Sequence, residues 1–114
     1  MRKWPSASAP ANVLISRIVA YTDEHFAENL SLDVIASTFA IHPAYFCKLF
    51  KRTMGTTYID YLTQCRVTRA KELLRRTDLP NYLIAEQTGF QTPEYFSKIF
   101  KKKTGVSPKE YRQG

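Results

Sequence analysis

The chain has 114 residues, 44% hydrophobic and 13% aromatic, enough for one compact domain or two very small ones sharing a connector. No apolar run approaches the ~20 residues that span a bilayer. Met1 to Ala11 has no apolar signal segment, and two distant cysteines, Cys47 and Cys65, suggest neither a disulfide framework nor a metal site, so a reduced, cytoplasmic protein without cofactor or membrane is expected. The net charge of +7 is uneven: residues 1–40 hold three basic and four acidic side chains, residues 41–114 fourteen and six, and such an excess favours a polyanion.

Residues 1–11, MRKWPSASAPA, are rich in Pro, Ser and Ala and read as a disordered lead-in or linker remnant, with Trp4 an incidental exposed ring rather than a docking residue. Asn12 is a cap for the first helix, whose apolar stripe is Ile15, Ile18, Val19, Thr22 and Phe26, running to about Glu28 before Asn29 closes it. Ser31 caps a short helix with Leu32, Ile35, Ala36 and Phe39 inward and Asp33 suited to the helix dipole. A tight turn near Ala40 follows.

The next stretch, Ile41 to Thr57, recurs fifty residues on as Gln91 to Ser107. Pro43, Tyr45, Phe46, Lys48, Phe50, Lys51 and Gly55 return as Pro93, Tyr95, Phe96, Lys98, Phe100, Lys101 and Gly105. Each copy is a punctuated helix: His42 or Thr92 at the N-cap, proline at the first position, glycine at the end. Phe46, Leu49, Phe50 and Thr53 share one face, as do Phe96, Ile99 and Phe100. The opposite faces are Ala44, Cys47, Lys48 and Lys51 in one copy, Glu94, Ser97, Lys98 and Lys101 in the other. A short helix, a tight turn and a second helix with a basic outer face make a helix-turn-helix.

Between the copies, Thr57 and Asp60 form a capping box for a long helix with Ile59, Leu62, Cys65, Ala70, Leu73 and Leu74 on its stripe, ending near Arg75. Its nineteen residues span about 28 Å. Thr77 to Pro80 breaks it, and a short helix from Asp78 or Leu79 carries Ile84 and Ala85 inward. From Ala36 to Pro43 is seven residues and from Ala85 to Pro93 eight, so the second turn is one residue longer. Ser107, Pro108 and Glu110 start a last helical turn from which Tyr111 packs back. The expected architecture is all-α, with a lead-in over 1–11, helix-turn-helix units over 12–56 and 77–114, and a linker helix over 57–76. Two such units on a connector about one DNA turn long suggest a monomer reading two successive major-groove segments of an asymmetric site.

The chain resembles the DNA-binding domain of the AraC/XylS family of bacterial transcription regulators, from about Val13 to Arg112. The most specific parts are GFQTPEYFSKIFKKKTGVSPKEYR, Gly89 to Arg112, and RVTRAKELL, Arg66 to Leu74. The resemblance implies seven helices, two helix-turn-helix subdomains, a linker helix, and transcriptional control that often touches RNA polymerase. It also implies a companion effector or dimerisation domain outside this stretch. By position it puts base reading on Ala44, Cys47 and Lys48, and on Glu94, Tyr95, Ser97 and Lys98. Of these, Lys48 and Lys98 suit guanine O6 and N7. Glu94 suits cytosine N4 or the helix dipole, and Ala44 a thymine methyl or nothing. Lys51, Arg52, Lys101, Lys102 and Lys103 read as phosphate contacts, with the caps His42 and Thr92 beside them. Arg66 reads as a structural pairing residue ahead of a DNA contact. Asn81 and Thr88 stand where the family more often has apolar residues, and Leu83 where it often has Glu, so loose packing is expected there.

Two other readings are weaker. An enzyme lacks a Ser/His/acid set, a phosphate-cradling glycine loop or metal-ligand spacing. Zinc-cysteine alkylation repair, which accompanies some such domains, needs a four-thiolate site that two isolated cysteines cannot make. A basic helical adaptor that binds a protein partner, with only nonspecific DNA affinity, is the remaining alternative.

Overall fold

The computed structural model describes residues 8–114. Residues 1–7, Trp4 among them, lie outside the described part. The described residues form seven helices and no strand, matching the all-α expectation: α1 (Ser8–His25), α2 (Leu32–Thr38), α3 (Pro43–Met54), α4 (Tyr58–Arg76), α5 (Asn81–Thr88), α6 (Pro93–Thr104) and α7 (Pro108–Gln113). They group into two compact units. Unit 1 is α1 with Asn29–Leu62, and unit 2 is Phe26–Glu28 with Thr63–Gly114.

In unit 1, α3 packs on α1 and α2. Ile15, Ile18 and Thr22 of α1, Ile35 and Ala36 of α2, and Phe46, Leu49 and Phe50 of α3 are all buried. Tyr58 places its ring 5.2 Å from Phe46 and 5.3 Å from Phe50. Unit 2 repeats the arrangement: Phe96 and Phe100 of α6 meet Val67, Ala70 and Leu74 of α4 and Ile84 of α5. Each buried phenylalanine contributes about 1.5–3 kcal/mol from removal of its ring from water.

The repeat continues into the helices that follow each copy. Tyr61 stacks edge-on against Phe50 at 5.8 Å, and Tyr111, fifty residues on, against Phe100 at 5.4 Å. The cap at Ser107 is a complete box, with Ser107 Oγ accepting from Glu110 N–H at 3.1 Å and Glu110 Oε1 from Ser107 N–H at 2.9 Å. Thr57 Oγ1 accepts from Asp60 N–H at 3.1 Å. Arg112 then ties the end of α4, donating to the carbonyls of Leu74 at 3.2 Å and Leu79 at 2.6 Å.

Several expectations need correction. α1 starts at Ser8 and not after Asn12, because Pro10 falls in the first turn, where no intrahelical N–H bond is lost. It ends at His25, and Phe26 lies beyond it; the Phe26 and Glu28 carbonyls accept from Arg66 at 2.8 and 2.9 Å. Thr53 is exposed, since α3 outlasts the core beneath it. Ile59 is 45% exposed and Tyr58 takes the buried place assigned to it. The inward row of α4 is Tyr58, Leu62, Arg66, Ala70 and Leu74 at i, i+4 spacing, with Arg66 half-buried in its middle. α5 begins only at Asn81, because Leu79 precedes a proline and avoids helical dihedrals. Thr88 is fully buried, and its hydroxyl donates to the Ile84 carbonyl at 2.6 Å, so this polar departure leaves no unsatisfied hydroxyl.

Candidate nucleic-acid interface

Both turns that lead into α3 and α6 use the same closing bonds. Ile41 N–H reaches the Ala36 carbonyl at 2.9 Å, and Phe90 N–H the Ala85 carbonyl at 2.9 Å, each around one left-handed residue. That residue is Ala40, φ 56°, in unit 1 and Gly89, φ 91°, in unit 2. Gly89 has no alternative: an added Cβ would stand 2.9 Å from Ala27 Cα, Phe26 O and Arg66 Nε. The extra residue of the second turn is Gln91. Ile41 is followed at once by the cap His42, whereas Phe90 is followed by exposed Gln91 before the cap Thr92.

The caps are real. His42 Nδ1 accepts from Ala44 N–H at 3.2 Å, and Thr92 Oγ1 from Tyr95 N–H at 3.0 Å. A ring whose Nδ1 accepts is neutral at that nitrogen, so its proton sits on Nε2, which is left as the donor of the ring. Gly55 (φ 78°) and Gly105 (φ 88°) end the two helices in the left-handed conformation.

Between these fixed ends, the aromatic face is buried and the opposite face is open. His42, Ala44, Lys48, Lys51 and Arg52 are exposed in the first copy, with Cys47 half-buried. Thr92, Glu94, Tyr95, Lys98 and Lys101 are exposed in the second, along with Lys102 and Lys103, and Ser97 is half-buried. Lys51 and Arg52, and Lys101 to Lys103, also occupy the last turns, where the helix dipole favours cations. Glu94 sits in the first turn, where it favours anions.

Cys47, Lys48, Lys51 and Arg52 border one open groove of about 670 Å³ with an apolar floor that includes Leu32, Tyr58 and Ile59. In unit 2, the candidate residue Thr92 borders another open groove, formed with Tyr82, Glu86 and Gln91. Tyr45 is a candidate that the sequence reading missed. It is 51% exposed against 49% for Tyr95, and the fifty-residue offset links the two. Among the described residues, no group of three or more His, Cys, Asp or Glu side chains is placed to hold a metal ion. No helix among them is long and apolar enough to cross a membrane.

A helix-turn-helix domain family matches residues 35–114. Regulatory protein PocR of Salmonella typhimurium is 34% identical over 111 residues, covering 97% of this chain and 37% of that protein. The chain thus spans well under half the length of this curated relative. Among solved structures, the C-terminal domain of AraT, a response regulator from Geobacillus stearothermophilus, superposes with a TM-score of 0.86 at 39% identity, covering 88% of this chain and 84% of that one. The DNA-binding domain of AdpA, a global transcriptional factor solved in complex with a target DNA, gives 0.83 at 26% identity, covering 87% and 89%.

Proposed function

The chain belongs to the AraC/XylS family of helix-turn-helix transcription regulators as a DNA-binding domain, and on that premise we propose that α3 and α6 each enter a major groove of double-stranded DNA. Lys48 and Lys98 donate to guanine edges, with Ala44, Cys47, Glu94, Tyr95 and Ser97 facing neighbouring bases. Lys51, Arg52, Lys101, Lys102 and Lys103 hold phosphates, joined by His42 through Nε2–H and by Thr92. Tyr45 joins Tyr95 as an exposed ring beside the bases. One chain supplies both helices, so a monomer suffices, and the unlike outer faces make the site asymmetric.

The reading rests on one observation above the others. α3 and α6 share their prolines, terminal glycines, buried aromatics and the exposed pairs Tyr45/Tyr95, Lys48/Lys98 and Lys51/Lys101, and differ on the outer face at Ala44/Glu94 and Cys47/Ser97. A duplicated frame whose exposed faces keep their lysines and tyrosine but change at two positions between them suits two reading heads with different preferences. It suits a passive adaptor poorly. The protein acts in the bacterial cytoplasm as a binding module, without catalysis or cofactor. Control follows from where its site lies relative to RNA polymerase.

In vitro selection of random duplex DNA with the 114-residue chain tests this. Two unlike elements, centred about 10 base pairs apart, are expected. A single element would leave one helix holding phosphates only. No enrichment would hand the function to the adaptor reading.

A further inference from the structure

The groove beside α3 lies wholly within unit 1. Its rim carries three cations, Lys48, Lys51 and Arg52, and none of the described residues that border it is acidic. Its floor is apolar: Leu32 at the start of α2, Tyr58 and Ile59 at the start of α4, with the thiol of Cys47 beside them. Tyr58 brings only its ring, because its hydroxyl is bonded to Thr22 inside the core.

The repeat supplies an internal comparison. DNA contact accounts for the rim, since Lys48, Lys51 and Arg52 return as Lys98, Lys101 and Lys102. It does not account for the floor. Fifty residues on, Cys47 and Ile59 return as Ser97 and Lys109. The helix before the turn is offset by forty-nine, as Ala36 and Ala85 are, so Leu32 returns as Asn81. Each pair matches in exposure: Leu32 and Asn81 are half-buried, Cys47 and Ser97 half-buried, Ile59 and Lys109 exposed. The shared frame thus accepts a polar side chain at all three places, yet unit 1 carries an apolar one at each. A groove of about 670 Å³, apolar within and charged at its edge, has the size and make-up of a small-molecule site. An uncharged apolar ligand would leave the three cations unused, and an inorganic anion would leave the floor unused. A molecule with an anionic head and an apolar body uses both.

We propose that this groove binds an anionic amphiphile, a carboxylate on an aliphatic chain of medium length, and that its occupation shuts α3 off from DNA. Lys51 and Arg52 hold the head group, and the chain lies on Leu32, Tyr58 and Ile59. Cys47 and Lys48, to which base reading is assigned, border the same groove, so ligand and base edges exclude each other. The exclusion rests on the proposed reading of DNA by α3; the ligand site does not.

The probe is decanoate, added to the 114-residue chain below its micelle-forming concentration and followed by backbone amide NMR. Saturable shifts are expected over 31–33, 46–52 and 57–60, with none of comparable size in α5 to α7. Decanol has the same chain without charge, and decyltrimethylammonium has the opposite charge; each should bind at least about tenfold more weakly. Hexanoate should do so too, since each methylene taken off the floor forfeits up to about fourfold in affinity. Leu32→Asn and Ile59→Gln bring polar side chains to the floor, as the second copy has. Each should weaken decanoate by about tenfold and bind the selected duplex within about twofold of wild type. Decanoate at ten times its Kd should lower wild-type affinity for that duplex by about tenfold. It should leave binding to the element read by α6, offered alone, within about twofold. Circular dichroism melting establishes that each variant is folded.

Decanol or decyltrimethylammonium binding as well as decanoate overturns the proposal, because the rim would then play no part. So do shifts centred away from the groove, or undiminished binding in a folded Ile59→Gln; if that variant does not fold, the wild-type shifts decide. Bound decanoate that leaves DNA affinity intact refutes the exclusion. An equal loss on the α6 element alone refutes it too, because that is the mark of detergent action. A chain that selects no duplex removes the proposed function and the exclusion with it, while the NMR titration still decides the ligand site.

Discussion

The hydroxyls of Thr22 and Tyr58, thirty-six residues apart, meet at 2.9 Å inside the core of unit 1, with Thr22 fully buried and Tyr58 2% exposed. This bond joins α1 to the start of α4 within an otherwise apolar cluster. Tyr58→Phe keeps the ring against Phe46 and Phe50 and takes away one hydroxyl. It should cost about 1–3 kcal/mol, the desolvation of the group left behind. Thr22→Val combined with Tyr58→Phe should recover most of that loss, since an apolar pair of the same shape is nearly neutral. Urea unfolding of the two single variants and the double gives the coupling directly. Simple additivity would show that the hydroxyls do not depend on each other.

The left-handed residues differ in what surrounds them. Gly55 has open space where a Cβ would go, so Gly55→Ala should cost only the left-handed strain, about 1–2 kcal/mol. Gly89→Ala adds contacts at 2.9 Å with the backbone of Phe26 and Ala27, and should cost more than Gly55→Ala by at least about 1–3 kcal/mol, the usual range for overpacking. Thermal melting of the two variants side by side checks the order.

Ala40 already carries the strain that glycine would relieve. Ala40→Gly should stabilise unit 1 by up to about 1–2 kcal/mol, offset by the entropy that glycine gains when unfolded. A lower melting temperature would mean that entropy outweighs strain at this turn.

Binding measurements should separate the two classes of cation. Lys48→Ala and Lys98→Ala should each cost about 1–3 kcal/mol on the selected site and relax preference at one base position. Lys51→Ala should weaken all duplexes alike and lower the salt slope by about 1 from a wild-type value of roughly −5 to −9. A uniform loss in Lys48→Ala would move that residue to the phosphates.

The α7 cap carries a pH dependence. The Ser107 backbone N–H holds the Glu110 carboxyl below the usual glutamate value, with the Ser107 side chain and Lys101 adding to it. A pKa lowered on folding gives stability that is complete above the unfolded value and is lost as pH falls through the folded one. The melting difference between wild type and Glu110→Ala should therefore be present at neutral pH and shrink in acid. A difference that grows on acidification would contradict the capping role.

Where sequence reading succeeded, the information was local. Caps, helix-ending glycines and the aromatic stripes of α3 and α6 are set by residues within one or two turns of each other. Where it failed, the cause was distant or was a misread phase. Just past the end of α1, the Phe26 carbonyl is taken up by Arg66, forty residues on, a partner that nothing near His25 announces. On α4 an arginine in the buried row broke the apparent periodicity and moved the stripe from Tyr58 to Ile59. The late start of α5 was legible, because Leu79 stands before Pro80. Of the candidate interface, exposure at both outer faces was readable from helical phase. The groove beside Cys47 needed Leu32 and Ile59 from other helices, and Tyr45 needed only the offset applied once more.

The matched frames of α3 and α6 also make them interchangeable cassettes. Their anchoring residues point inward and their variable residues outward, so Ala44, Cys47 and Lys48 could be transplanted onto positions 94, 97 and 98 without disturbing a buried ring. A chain rewritten in that way would carry the same word twice, and its preferred operator would hold the same element twice in place of two unlike ones.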